Sequence, residues 1–198
     1  MNRYLDGRRT PLTDKFFSTL GFDSTEDLLA AIAGMDLDVD TMAKSHDLAG
    51  LPLGGWIYWV LYTKGYLQYK STGTIGEGNV YYYYLTRYFG PRAHDPGLVE
   101  TLADPHATVE LIARRFRDFD FFRSKVVHDP GAAEHVDPVT VIISEPPPNP
   151  DDAMPVYEVG SDAPLLASVI DGYHRLFLGR LFGVERLTCR VRVLQEPL

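Results

Sequence analysis

Residues 168–183 read SVIDGYHRLFLGRLFG, and this stretch decides the fold of the C-terminal third. An apolar run, 165–170, stops at Asp171 and Gly172, and a helical pattern follows over 173–182 until Gly183 ends it. Strand, tight turn and helix make an anion site. The first N–H groups of a helix have no partner inside it, and the helix dipole puts partial positive charge there. Gly172 lets the backbone turn sharply with no Cβ in the way. His174 and Arg175 fall in the first turn, adding a donor and a fork-shaped cation suited to phosphate oxygens. An arginine opposes the dipole at that end, so the fold gains little by placing it there, which favours an anion seat over an ordinary Asp-Gly turn. Asp171, last on the strand, orients the arginine or histidine, or accepts a sugar hydroxyl or metal-bound water.

Working outward, VTVII (139–143) is rich in β-branched residues and ends at SEPPPNPDD, which suits neither helix nor central strand. PVYEVG (155–160) and LLASVI (165–170) read as two further strands. In RLTCRVRVL, Leu187, Cys189, Val191 and Val193 alternate with Thr188, Arg190 and Arg192, the period of a half-buried strand. Upstream the texture is helical. STEDLLAAIAG has Ser24 or Thr25 as its cap, Glu26 and Asp27 in the first turn and Gly34 as stop, and DVDTMAKSHDLAG repeats the plan more weakly. DKFFSTLGF is a shorter helical signal. Trp56, Trp59, Tyr62, Tyr66 and Tyr69 form an aromatic stripe, read as core or else as a pocket wall, while the tyrosine run 81–84 fits helix or strand. DPHATVELIARRFRDFDFFRSKV predicts a long helix with Val109, Ile112, Phe116 and Phe119 on one face and Arg114, Arg115 and Arg117 on a solvated one. The expected organisation is a helical, aromatic-rich part over 1–122, serving as lid or interface, packed on an α+β unit over 123–198.

The segment SVIDGYHRLFLGRLFGVERLTCRV resembles the Asp-Gly-x-His-Arg region of the ParB/sulfiredoxin superfamily, which includes partitioning nucleotidases, sulfiredoxins and free serine kinases. VDPVTVII resembles the family's Asp-Pro strand, VYEVG…SVIDG its strand pair, and LFGVERLTCRV its helix end and final strand, so the likeness spans about 125–194. It implies an α+β fold with a mixed sheet and helices, and a nucleotide-phosphate site carried by Asp171, Gly172, Tyr173, His174 and Arg175. The cofactors it implies are ATP or ADP with Mg²⁺. Tyr173 stands where sulfiredoxins have a nucleophilic cysteine, which turns the expectation away from sulfinic-acid reduction. Phe177 and Leu178 stand where relatives often carry small residues. The free serine kinase branch implies phosphoryl transfer to a hydroxyl-bearing metabolite, with Asp171, His174 and a carboxylate base; Glu134 is the candidate base, beside His135, and Glu158 the second choice. Two other readings stand beside it: a nucleotide-responsive binding module without chemistry, and a tailoring enzyme that kept only the scaffold.

The 198 residues carry a formal charge of −8, and residues 121–198 alone hold seven Lys/Arg against eleven Asp/Glu. That balance disfavours nucleic acid and anionic membranes as partners. WIYWVLY (56–62) falls far short of the roughly 20 residues that span a bilayer, and no secretory leader is read at the start, so the expectation is a cytoplasmic protein acting on a small molecule, with a homo-oligomer left open. Cys189 is the only cysteine, which excludes an internal disulfide and reads as core. No metal site is expected. DLDVDT (36–41) imitates a calcium loop but has Thr41 and Asp47 where glycine and glutamate belong, so its carboxylates read as caps. GTIGEGN (73–79) lacks phosphate-loop spacing and reads as a connection, and His128 and His135 make only a weak pair.

Overall fold

A computed structural model describes residues 3–8, 16–17, 20–45, 55–143, 154–161 and 163–193. The stretch 144–152, residues 46–50 at the end of DVDTMAKSHDLAG with Asp47, and residues 14, 15, 18 and 19 of DKFFSTLGF lie outside the described residues. The chain is a mixed helix-and-strand, α+β protein that divides into two compact units: residues 15–117, and residues 1–14 together with 118–198. No helix among the described residues is long and apolar enough to cross a membrane.

The first unit is helical. Helix α1 (Thr25–Gly34) starts at Ser24, whose hydroxyl accepts the Asp27 N–H at 3.1 Å, and α2 (Val39–Ser45) follows. Asp38 opens α2 by accepting from the Thr41 N–H and hydroxyl at 3.0 and 2.6 Å, the capping role its spacing predicts. Helix α3 (Trp56–Thr72) is buried on every side from Ile57 to Thr63, so it is the unit's central helix rather than an amphipathic cover with one stripe. Tyr69, counted in the predicted stripe, is only half-buried. The tyrosine run forms a short helix, α4 (Val80–Tyr84), continued by a wider turn over Leu85–Phe89; Tyr81 and Tyr84, three apart, face inward. Helix α5 (Pro96–Ala103) precedes α6 (Pro105–Phe121), within which the boundary between the units falls. Ile112, Phe116 and Phe119 are fully buried as the periodicity predicts, but Thr108 takes the buried position on the first turns and Val109 is half-buried.

The second unit is a small closed barrel. Its strands are β1 (Arg3–Leu5), β2 (Val139–Ile143), β3 (Met154–Glu158), β4 (Leu165–Asp171) and β5 (Leu187–Val193), with α7 (Tyr173–Leu181) between the last two. The order around the barrel is β1-β3-β4-β2-β5, closing on β1. Only β2 and β5 run parallel, pairing Val139 with Cys189 and Val141 with Val191; the sheet is therefore mixed. Leu5, Val139, Val141, Met154, Val156, Ala167, Val169 and Leu187 are buried, the inward set that strand alternation produces. Strand β1 differs from the sequence reading, which placed residues 1–122 in the helical part. Three residues are too few for a period to register, and the strand forms because two partners flank it: Tyr4 pairs with Tyr157 on one side and with Thr188 on the other.

Candidate functional site

The turn at 171–175 is built where three pieces of the barrel unit meet. Strand β4 ends with Asp171 opposite Thr140 of β2, and a register irregularity lies between Thr140 and Val141. Gly172 then takes φ 96° and ψ 16°, a left-handed conformation that carries no steric penalty only for glycine. A Cβ there would also come within 3.1 Å of the Val139 Cα, so the close approach of β2 requires glycine a second time. The N-cap residue, Gly172, makes no side-chain cap bond to α7. The first-turn N–H groups of a helix lack helical partners, so this opening carries partial positive charge.

The side chains behave less simply. Arg175 does not project: its Nη1 donates to the Asp137 carbonyl at 2.7 Å, its Nη2 lies 3.3 Å from Asp171 Oδ2, and its side chain is only 12 % exposed. The guanidinium packs over Gly172 and fastens α7 to the segment entering β2. Asp171 accepts the Gly172 N–H on Oδ1 at 2.8 Å, so one carboxylate already faces both the backbone and the cation, yet it stays 73 % exposed at the mouth of the turn. Tyr173 is tied back to its own strand, its hydroxyl donating to the Val169 carbonyl at 2.6 Å. His174 is half-buried in the same first turn.

No protein-family model, no curated protein and no solved structure matches this chain. The turn must therefore be judged by its own geometry.

Asp171, Gly172, Tyr173, His174 and Arg175 come together on one turn. Glu134 lies on the tight helical turn Pro130–His135, exposed and with no side-chain hydrogen bond among the described residues, and His135 and His128 are exposed too. That turn leads through Asp137 into the Arg175 contact, and three residues of chain hold Glu134 within about 11 Å of Asp137. Glu158 is engaged elsewhere: its Oε1 accepts from Arg3 Nε at 2.9 Å and Nη2 at 2.5 Å, across paired strands. Cys189 is half-buried, and burial pushes its thiol up to about 11, which suits an inert residue. Phe177 and Leu178, on α7 itself, are fully buried. Among the described residues no group of three or more His, Cys, Asp or Glu is placed to hold a metal ion. Asp171, with its oxygens turned to Gly172 and Arg175, does not by itself fit Mg²⁺.

In the helical unit an open cleft of about 210 Å³ is lined by Asp38, Asp40, Glu77, Val80 and Tyr83 among others. Asp40 accepts hydroxyl hydrogen bonds from Tyr83, at 2.9 Å, and from Tyr88, so it ties α2 to α4 and to the wider turn that follows.

The sequence reading missed Arg115. It was grouped with Arg114 and Arg117 on a solvated face, but its Nη1 donates to the Tyr81 hydroxyl at 2.6 Å and approaches the Tyr58 hydroxyl at 3.4 Å. The signal was present: Arg115 follows Ile112 by three and precedes Phe119 by four, the spacing of the buried face.

Proposed function

We propose that the protein binds a phosphorylated small molecule, most concretely a nucleotide such as ATP or ADP, at the opening of α7. The glycine-led helix start beside a guanidinium carries this reading, and the resemblance to the ParB/sulfiredoxin superfamily over 125–194 points the same way. Phosphate oxygens would take the first-turn amides and draw Nη2 of Arg175 away from Asp171, exchanging an internal anion for an external one. His174 adds a donor at the same edge. The most concrete activity is phosphoryl transfer to a hydroxyl-bearing metabolite, with Glu134 as candidate base and Asp171 beside the phosphate. The residues do not supply a magnesium site of their own, so any Mg²⁺ would be bound largely by the nucleotide.

A second reading is a nucleotide-responsive module without chemistry. It is favoured by Glu134, which is exposed and has no side-chain partner among the described residues, whereas a working base is normally held in place. Calorimetric titration with ATP, ADP and CTP, with and without Mg²⁺, tests the shared claim. Arg175→Ala should weaken binding at least tenfold, as loss of a charge-assisted contact implies (about 1.5–3 kcal/mol). Because Arg175 also fastens the turn, the variant is first shown to be folded by its circular dichroism melt. Asp171→Asn removes the competing carboxylate and should strengthen binding of inorganic phosphate in the absence of Mg²⁺. Unchanged nucleotide affinity in a folded Arg175→Ala protein would sink the phosphate-site reading. A nucleotide that binds but is never consumed with any hydroxyl compound selects the module.

A further inference from the structure

The helical unit holds a cation that no anion faces among the described residues. Arg115 on α6 is half-buried, and the partners of its guanidinium are phenols: the hydroxyls of Tyr81 and Tyr58 on Nη1, and the Tyr81 ring, whose centroid lies 6.0 Å from Cζ. The two hydroxyls are 2.7 Å apart and share a hydrogen bond, and Tyr62 donates to the Arg115 carbonyl at 2.9 Å. No carboxylate among the described residues lies within ion-pair distance of it. Phenols accept a hydrogen bond but do not neutralise the charge. Burial pushes Tyr58 and Tyr81 upward, Tyr81 to about 12, so both are neutral in physiological conditions. An arginine cannot escape by losing its proton.

This is a costly arrangement for structure alone. Removing a cation from water without a counter-charge is unfavourable, and an apolar residue of similar volume would serve a core equally well. The bonds that exist occupy Nη1 only. Nε and Nη2 have no acceptor among the described residues, and together they form the planar two-donor edge that matches the two oxygens of a carboxylate or phosphate. We propose that Arg115 is an oxyanion site of the helical unit, in which Tyr58 and Tyr81 hold Nη1 while the Nε–Nη2 edge receives a carboxylate or phosphate group of a small ligand. The site is separate from the α7 turn and does not depend on the reading given to it.

The test uses the full chain labelled with ¹⁵N-arginine, titrated with inorganic phosphate and with benzoate while chloride keeps ionic strength constant. The Arg115 Nε–Hε resonance, assigned by its loss in Arg115→Lys, should shift saturably with a half-saturation on the order of 1 mM, the scale of two charge-assisted bonds at an accessible site. A response to phosphate alone identifies a phosphorylated ligand, a response to benzoate alone a carboxylate, and a response to both the shared oxyanion edge. Tyr81→Phe keeps the ring, deletes the hydroxyl that holds Nη1, and should weaken the response at least threefold; this variant carries the test if Arg115→Lys does not fold. Arg175→Lys should leave the titration as in the unaltered protein. An Arg115 resonance that stays still in both titrations, or one that shifts equally in Tyr81→Phe, overturns the proposal.

Discussion

Tyr81 shows how much one side chain carries in this protein. Its ring packs edge-on against Tyr62 at 5.2 Å, and its hydroxyl joins Tyr58 to Arg115. Burial holds its phenol at about 12, against an ordinary value near 10. The consequence for stability has a definite sign. Above about pH 10 the unfolded chain releases this proton while the folded chain keeps it, so the stability present at lower pH falls as pH rises towards 12. Two units correspond to a loss on the order of 3 kcal/mol from Tyr81 once pH has passed 12. Urea midpoints measured from pH 8 to 11 should therefore decline, and less steeply in Tyr81→Phe, which at pH 8 should cost about 1 kcal/mol for its lost hydrogen bond. A midpoint that does not move with pH, or an identical slope in Tyr81→Phe, would mean that the phenol is not buried as described. At this scale the sequence was only half legible. Asp171, Gly172 and Arg175 were readable because a turn residue next to a helix start has local meaning. The inward placing of Arg115 was readable from its spacing, but its network was not, because its partners lie on α3 and α4 and no local pattern names them.

Between elements, the junction of α3 and α4 depends on two residues. Asn79 is buried; its Oδ1 accepts from the Tyr81 and Tyr82 N–H groups at 3.1 and 3.2 Å, and its Nδ2 donates to the Gly65 carbonyl at 2.7 Å. One side chain thus caps α4 and ties it to the middle of α3. The contact is possible because Gly65 has no side chain: a Cβ there would come within 2.4 Å of the Tyr81 Cβ and 2.8 Å of Asn79 Oδ1. Gly65→Ala should therefore destabilise by about 2 kcal/mol or more, since overpacking outweighs the helix-propensity gain of roughly 1 kcal/mol. Asn79→Ala should cost about 2–3 kcal/mol, combining a lost cap with a buried carbonyl left unpaired. Denaturant unfolding of each variant measures both; a Gly65→Ala chain as stable as the original would show that the helices do not approach as drawn. The cap of α1 and strands β2 to β5 were legible because Ser-x-x-Asp spacing and β-branched alternation act within one element. The close approach at Gly65 is a property of two helices, and a glycine inside a helical pattern announces nothing about its partner.

For the barrel unit as a whole, closure rests on the shortest strand. Without β1, strands β3 and β5 would each present an unpaired edge, which invites pairing with another chain. Strand β1 adds Leu5, fully buried, and Tyr4, stacked on Tyr157 at 5.5 Å with the Arg186 guanidinium 4.8 Å from its ring centroid. This is the part of the fold least visible in advance, since a strand of three residues has no period and its partners lie some 150 and 180 positions along the chain. The ion pair between Arg3 and Glu158 is the obvious suspect for holding β1, but its side chains are 21 % and 30 % exposed, and a pair so placed contributes roughly 0–1 kcal/mol. Backbone pairing and Leu5 should dominate instead. Arg3→Ala is accordingly expected to lower the melting temperature only slightly, whereas a chain lacking residues 1–8 should lose cooperative unfolding of the barrel unit and elute as larger species in size-exclusion chromatography. Adding a peptide of residues 1–8 should restore part of the lost stability by pairing in the vacated position. A truncated chain that stays monomeric and melts as the intact protein does would show that the barrel closes without β1, and a large effect of Arg3→Ala would return the weight to the ion pair.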